Sequence, residues 1–187
     1  MNITVFGTAR IEPDDPLYRD AYYLGKLLAE AGHTVLTGGY VGSMEAVSKG
    51  AAEAGGHVVG ITCEDIERWR QVKCNQWVTE ERRFPTLRER LNALIDSGDA
   101  ALALPGGAGT LAEISIMWNQ LHTASIHPRP LVLIGSAWKK VFDTFFESMP
   151  AEFIPLRDRA HLNFVPDVET AVQSLNEKLL NKNNQGQ

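Results

Sequence analysis

Residues 99–113 read DAALALPGGAGTLAE, and the change of character at Pro105 decides the fold. Asp99 to Leu104 is a short run of small and aliphatic side chains, the pattern of a strand buried on both faces. Gly106, Gly107 and Gly109 follow at once, and an amphipathic helical stretch then runs from Gly109 to His122. Glycines at such a turn let successive N–H groups point to one place without interference from Cβ atoms. The helix start adds unpaired N–H donors and the positive end of its dipole, which makes an anion site. Gly106, Gly107, Gly109 and Thr110 are therefore candidate phosphate-binding residues. Thr110-x-x-Glu113 also has the spacing of a capping box, a purely structural use of both side chains.

The same strand–turn–helix alternation extends in both directions. Ile3–Gly7, His33–Thr37, His57–Thr62 and Pro130–Gly135 read as further strands. Leu17–Ala31, Gly42–Ala54, Thr86–Ser97, Trp138–Ser148 and Asp167–Leu180 read as helices. Such alternation predicts an α/β protein: a Rossmann-like, doubly wound parallel sheet flanked by helices. No repeat or composition shift divides the chain, so residues 1–180 are expected to form a single nucleotide-binding domain, with 181–187 as a polar C-terminal tail. From Cys63 to about Pro85 the pattern breaks down, and this stretch reads as an active-site or interface loop with a short helix near Asp65–Gln71. Trp77 within it is a candidate for base stacking.

A second glycine turn, Thr37-Gly38-Gly39-Tyr40-Val41-Gly42-Ser43-Met44-Glu45, again joins a strand to a helix. In an open parallel sheet, ligands bind beyond the C-terminal ends of the strands. Gly38, Gly39 and Gly42 should lie on that rim beside the PGGAGT turn, joined by Gly7 and Thr8 after the first strand.

Composition narrows the function. A net charge of −5 over 187 residues argues against a general role on nucleic acid or at a membrane surface, and no apolar run is long enough for a membrane span. Cys63 and Cys74 have neither disulfide-framework nor metal-site spacing, which suits a cytoplasmic compartment with reduced thiols. Neither glycine turn is followed by the Lys-Ser/Thr pair of a P-loop.

PGGAGTLAE, with Arg90 ahead of it and GGYVGSMEA earlier still, resembles the LONELY GUY (LOG) phosphoribohydrolases, often labelled "possible lysine decarboxylase". The resemblance covers about residues 3–135. It implies a Rossmann-like homodimer or higher homo-oligomer that hydrolyses the N-glycosidic bond of a purine-type nucleoside 5′-monophosphate, cytokinin ribotides among them, to free base and ribose 5-phosphate. No metal or organic cofactor is implied, and no lysine stands at either glycine turn to form a Schiff base with pyridoxal phosphate. Arg90 and Glu113 become the catalytic pair by this resemblance; from the residues alone, Arg82, Arg83 and Arg88 are equal candidates. In an oligomer, the Arg90 helix is one that would complete a neighbour's site. Glu113, near the start of its helix, is expected to be ionised by the helix N-terminus. Related molybdenum-cofactor carriers share the fold, so a non-catalytic nucleotide or cofactor carrier is the alternative. Two positions depart from the family pattern: Leu91, expected on the core-facing stripe of its helix, and Glu45, expected to add negative charge near the site.

Overall fold

A computed structural model describes residues 1–185, with side chains placed through Glu177. The first half of the chain runs β1 (Asn2–Phe6), α1 (Pro16–Glu30), β2 (Thr34–Thr37), α2 (Ser43–Glu53), β3 (Val58–Cys63), α3 (Glu64–Arg70) and β4 (Glu80–Phe84). The second half runs α4 (Leu87–Asp96), β5 (Ala100–Ala103), α5 (Ala108–His122), β6 (Leu131–Ile134), α6 (Ser136–Ser148), α7 (Leu156–Arg159), β7 (Leu162–Val165) and α8 (Val168–Gln185). One seven-stranded sheet has the order β4-β3-β2-β1-β5-β6-β7. Every pairing in it is parallel. The fold is the Rossmann-like, doubly wound sheet that the sequence predicts.

The period of two along each strand divides the core between the two faces of the sheet. Ile3 and Val5 of β1 join Leu102 of β5 and Val132 of β6 under α1, α2 and α8. Phe6, Ala101, Ala103 and Leu133 face the other way, under α4, α5 and α6. Burial on both faces explains why the inner strands read as unbroken apolar runs.

Winding goes outward from β1 to β4, then α4 carries the chain back to β5 on the opposite side of β1. The order reverses between β1 and β5, and the crevice beyond their C-terminal ends is the place where such sheets bind ligands. The Gly7 turn leaves β1 there and the PGGAGT turn leaves β5 there; a Cβ on Gly7 would lie 3.5 Å from Leu104 Cβ.

The segment expected as an open loop contains a whole α–β unit. Its short helix is α3, close to the expected span, but Glu80–Phe84 adds an edge strand. The EERRF sequence has no apolar alternation, because an edge strand needs only backbone pairing and is protected by charge. Glu80 and Arg82, two apart and on one face, pair at 2.7 Å, and Arg83 pairs with Glu67 of α3 at 2.6 Å. β7 is a second strand absent from the sequence reading; it pairs in register with β6 from Leu131↔Leu162 to Ile134↔Val165. α8 extends to Gln185, into the stretch expected as a tail, and Gly186 and Gln187 lie outside the described residues.

Among the described residues, no helix is long and apolar enough to cross a membrane. Helices α1 and α2 are packed so closely that a Cβ on Gly50 would overlap the Tyr22 carbonyl, and one on Gly25 would overlap the Val47 carbonyl. Neither obstacle is a side chain that can turn away. Gly50→Ala is expected to destabilise the fold by about 1–3 kcal/mol despite alanine's better helix propensity. Urea unfolding of the variant beside wild type measures the difference.

Candidate functional site

The site is built from the starts of α4 and α5, placed at one end of the sheet by the strands that precede them. Thr86 caps α4 with a full capping box: its Oγ1 accepts from the Glu89 N–H at 3.3 Å, and Glu89 Oε2 accepts from the Thr86 N–H at 3.1 Å. This fixes the phase of the helix so that Arg90 and Leu94, four residues apart, share the buried face. Of the expected stripe Leu94 and Ile95 are buried, but Leu91 is only half-buried and Leu87 is exposed, and Arg90 takes the inward place expected for Leu91.

Arg90 is 5% exposed. Its Nε donates to the Ile61 carbonyl at 2.8 Å and its Nη2 to the Gly38 carbonyl at 3.2 Å, with Met44 Sδ at 3.9 Å. Its guanidinium carbon lies 5.6 Å from the centre of the Tyr40 ring. Among the described residues no carboxylate stands within salt-bridge distance of it. Carbonyl oxygens thus satisfy part of its hydrogen bonding without neutralising its charge. Arg82, Arg83 and Arg88 are exposed, which separates Arg90 from them on geometry. Both hydrogen-bonded carbonyls of Arg90 belong to its own chain.

Glu113 is 8% exposed and lies on the buried stripe of α5 with Thr110, Ile114, Met117 and Leu121. Burial pushes its carboxyl from an ordinary value of 4.5 up to about 7, and the Arg90 charge acts in the opposite direction. Gly107 is the N-cap of α5, so Thr110 sits at the third helical position and Glu113 in the second turn. The capping-box reading of Thr110 and Glu113 is therefore overturned. The expectation of an ionised Glu113 held by the helix N-terminus gives way to burial as the dominant influence.

No side chain caps α5 among the described residues. Its first helical hydrogen bond runs from the Leu111 N–H to the Gly107 carbonyl, leaving the N–H groups of Ala108, Gly109 and Thr110 without helical acceptors. The Thr110 hydroxyl is buried and has no hydrogen-bond partner among the described residues. A Cβ on Gly106 would overlap that hydroxyl, whereas Cβ atoms on Gly107 or Gly109 would meet nothing within 4 Å.

The second turn has a different character. Gly38 carries the carbonyl that receives Arg90, and a Cβ there would overlap the guanidinium. The Gly39 N–H donates to Thr37 Oγ1 and its carbonyl accepts from the Asn75 N–H. Gly42, with φ +70°, caps α2 against the first turn, where the Thr8 carbonyl accepts both the N–H and the hydroxyl of Ser43 at 2.8 and 2.9 Å. Ser43 thus ties the start of α2 to Thr8 in the first turn. Glu45 acts on the Tyr18 phenol of α1, raising its pKa behind the larger effect of burial. Trp77 is half-buried, with Lys49 Nζ 5.5 Å from its ring centre. Tyr40 and the Ile61 carbonyl are site components to which the sequence reading assigned no role. A bulky aromatic inside a glycine turn is the signal that could have flagged Tyr40.

A groove of about 570 Å³ lies elsewhere. It is lined by Leu111, Ser115, Trp118 and His122, a stripe of α5 distinct from the one carrying Glu113, together with Phe145 and Phe153. Cys63 and Cys74 are free thiols, and no cluster of three or more potential ligands suited to a metal ion occurs among the described residues.

These features define a Rossmann-like protein with a buried cation on α4 and a buried carboxyl on α5. The chain belongs to the SLOG cluster4 family, whose model matches residues 1–144, and its relatives place it with the LONELY GUY proteins. It is 34% identical over 166 residues to a probable cytokinin riboside 5′-monophosphate phosphoribohydrolase of Oryza sativa subsp. japonica, covering 86% of this chain and 71% of that one. It is 37% identical over 145 residues to an uncharacterized protein of Archaeoglobus fulgidus, covering 77% and 89%. The molybdenum cofactor carrier protein of Chlamydomonas reinhardtii superposes with a TM-score of 0.73 at 25% identity, over 96% of this chain and 98% of that one.

The raised Glu113 pKa has a consequence for stability. The folded state holds this proton up to about pH 7, whereas the unfolded chain releases it near 4.5. Between those values the folded state binds more protons, so its stability falls as pH rises. Glu113→Gln, which carries no such charge, is expected to gain on wild type across that window by up to about 3 kcal/mol, and to match it near pH 4. Denaturant unfolding at several pH values checks both size and direction.

Proposed function

We propose that the protein hydrolyses the N-glycosidic bond of a purine-type nucleoside 5′-monophosphate, cytokinin ribotides included, giving free base and ribose 5-phosphate. The observation that carries this reading is the pairing of an un-neutralised buried Arg90 with a buried Glu113 beside the open amides of α5. An anionic ligand is what such a crevice lacks. In this reading the 5′-phosphate lies against the N–H groups of Ala108, Gly109 and Thr110 and the Thr110 hydroxyl, with Gly107 and Gly109 leaving it room. The names of the rice relatives supply the reaction class.

The C–N bond breaks through an oxocarbenium-like transition state, as in glycoside hydrolysis. The ionised Glu113 stabilises the developing positive charge at the anomeric carbon and takes a proton from the attacking water. Oxygen of that water bonds to the anomeric carbon, the base leaves with the C–N electron pair, and the proton on Glu113 passes to it. A carboxyl with a pKa of about 7 is suited to both halves of this transfer near neutral pH. Arg90 clamps the phosphate or ribose and keeps Glu113 from rising further. The whole is proposed to act as one domain spanning residues 1–180, in a cytoplasmic homodimer or higher oligomer, with no metal or organic cofactor.

The likeness to a molybdenum cofactor carrier favours a second reading, in which the same cradle binds a nucleotide or nucleotide-like cofactor without reacting. Release of free base from AMP and N6-isopentenyl-AMP, followed by chromatography, separates the two. Wild type is expected to turn over, and Glu113→Ala to lose about 10²–10⁴-fold in rate. Nucleotide binding by calorimetry with no base released would select the carrier reading instead.

A further inference from the structure

Tyr40 stands in the middle of the second glycine turn and is buried, at 1% exposure. Its hydroxyl donates to the Cys63 carbonyl at 2.9 Å and accepts from the Cys63 N–H at 2.7 Å. Holding both backbone groups of one residue, the phenol cannot slide or tilt without losing two hydrogen bonds at once. Burial pushes its pKa up to about 12, so the proton it donates stays in place across the working pH range.

The partners of Arg90 lie on the same two segments. Its Nε uses the Ile61 carbonyl, two residues before Cys63 on β3, and its Nη2 uses the Gly38 carbonyl, two residues before Tyr40 in the turn. The phenol and the guanidinium are therefore two crosslinks between residues 38–40 and residues 61–63. The Tyr40 ring also lies 5.6 Å from the guanidinium carbon, where its π-face attracts the cation.

We infer that Tyr40 is the positioning residue for Arg90: its hydroxyl fixes the separation of the two carbonyls that hold the guanidinium, and its ring closes one side of it. This inference rests on the assignment of Arg90 to the site, but it does not require that the protein hydrolyse anything. It concerns where a charge is held, and that charge is read out at Glu113. Arg90 is the charged group whose field reaches Glu113, and it acts against the rise caused by burial.

The test is the titration of Glu113 by carbon NMR of protein labelled at the glutamate carboxyl carbons, assigned with Glu113→Gln. Tyr40→Phe keeps the ring and loses the crosslink to Cys63; Tyr40→Leu loses both. Once Arg90 is free to move away, the Glu113 midpoint is expected to rise, by about half a unit or more in Tyr40→Leu and by less in Tyr40→Phe. Where the wild type releases base, kcat is expected to fall by up to about 100-fold in Tyr40→Leu, with the acid limb of the pH profile moving by the same amount as the midpoint. Lost packing alone would lower the melting temperature and leave that midpoint in place. A folded Tyr40→Leu with the wild-type midpoint would overturn the inference; if that variant does not fold, an unmoved midpoint in Tyr40→Phe does so. Should wild type release no base at all, the hydrolase reading fails while the titration still decides the role of Tyr40.

Discussion

A guanidinium withdrawn from water, with no carboxylate among the described residues within salt-bridge distance, is the constraint around which this protein is arranged. Taking one charge out of water costs several kcal/mol even after relaxation, so Arg90 is tolerated only because the surrounding chain is shaped to receive it. Gly38 is bare because a side chain would occupy the space of the guanidinium. The Thr86–Glu89 capping box sets the phase of α4 so that Arg90, not Leu91, turns inward. The last residues of β3 offer a carbonyl to the arginine and both backbone groups to Tyr40. A nearby aspartate would satisfy the same guanidinium with fewer adjustments, but would cancel the charge locally. Carbonyl oxygens satisfy part of its hydrogen bonding and leave the charge in force.

That charge and Glu113 determine each other's usefulness. Alone in this environment the carboxyl would be held protonated by burial, and beside an exposed arginine it would be an ordinary ionised surface group. Together the two effects leave its pKa at about 7, where it can both accept and return a proton. The arrangement costs stability progressively as pH rises from 4.5 and in full above about 7, where the carboxylate is ionised in a poorly hydrated place. Sites that trade stability for a poised ionisable group are a recurring feature of functional crevices.

How legible this was in the sequence differs from element to element, for physical reasons. β1, β2, β3, β5 and β6 are covered on both faces, and their apolar runs could be read directly. β4 escaped because an edge strand of sequence EERRF owes its place to backbone pairing with β3. β7 escaped because its four residues, LNFV, are too few to display a period. At the site, the glycine turns announced an anion crevice, and the family resemblance picked out Arg90 from its neighbours. The burial of Arg90 was hidden because Leu87, Leu91, Leu94 and Ile95 form a plausible stripe on their own, whereas in the fold only Leu94 and Ile95 of these share the buried face with Arg90. Thr110 and Glu113 carry capping-box spacing, yet the box that forms is at Thr86 and Glu89, because α5 begins at Ala108, two residues before Thr110.

The two glycine turns look alike in sequence and differ in what their glycines accommodate. At Gly38 and Gly42 the missing Cβ makes room for parts of the same molecule: the Arg90 guanidinium in one case, the backbone at Thr8 and Ala9 in the other. At Gly107 and Gly109 it leaves space that no described residue fills, beside amides with no helical acceptor and a buried hydroxyl with no partner. Glycine is unfavourable within a helix, and both Gly109 and the N-cap Gly107 stand where a side chain would have fitted. Neither position is explained by internal packing. The turn after β2 is thus shaped around Arg90, while the first turn of α5 is left open, and in the proposed reading it is there that the phosphate of the ligand would sit.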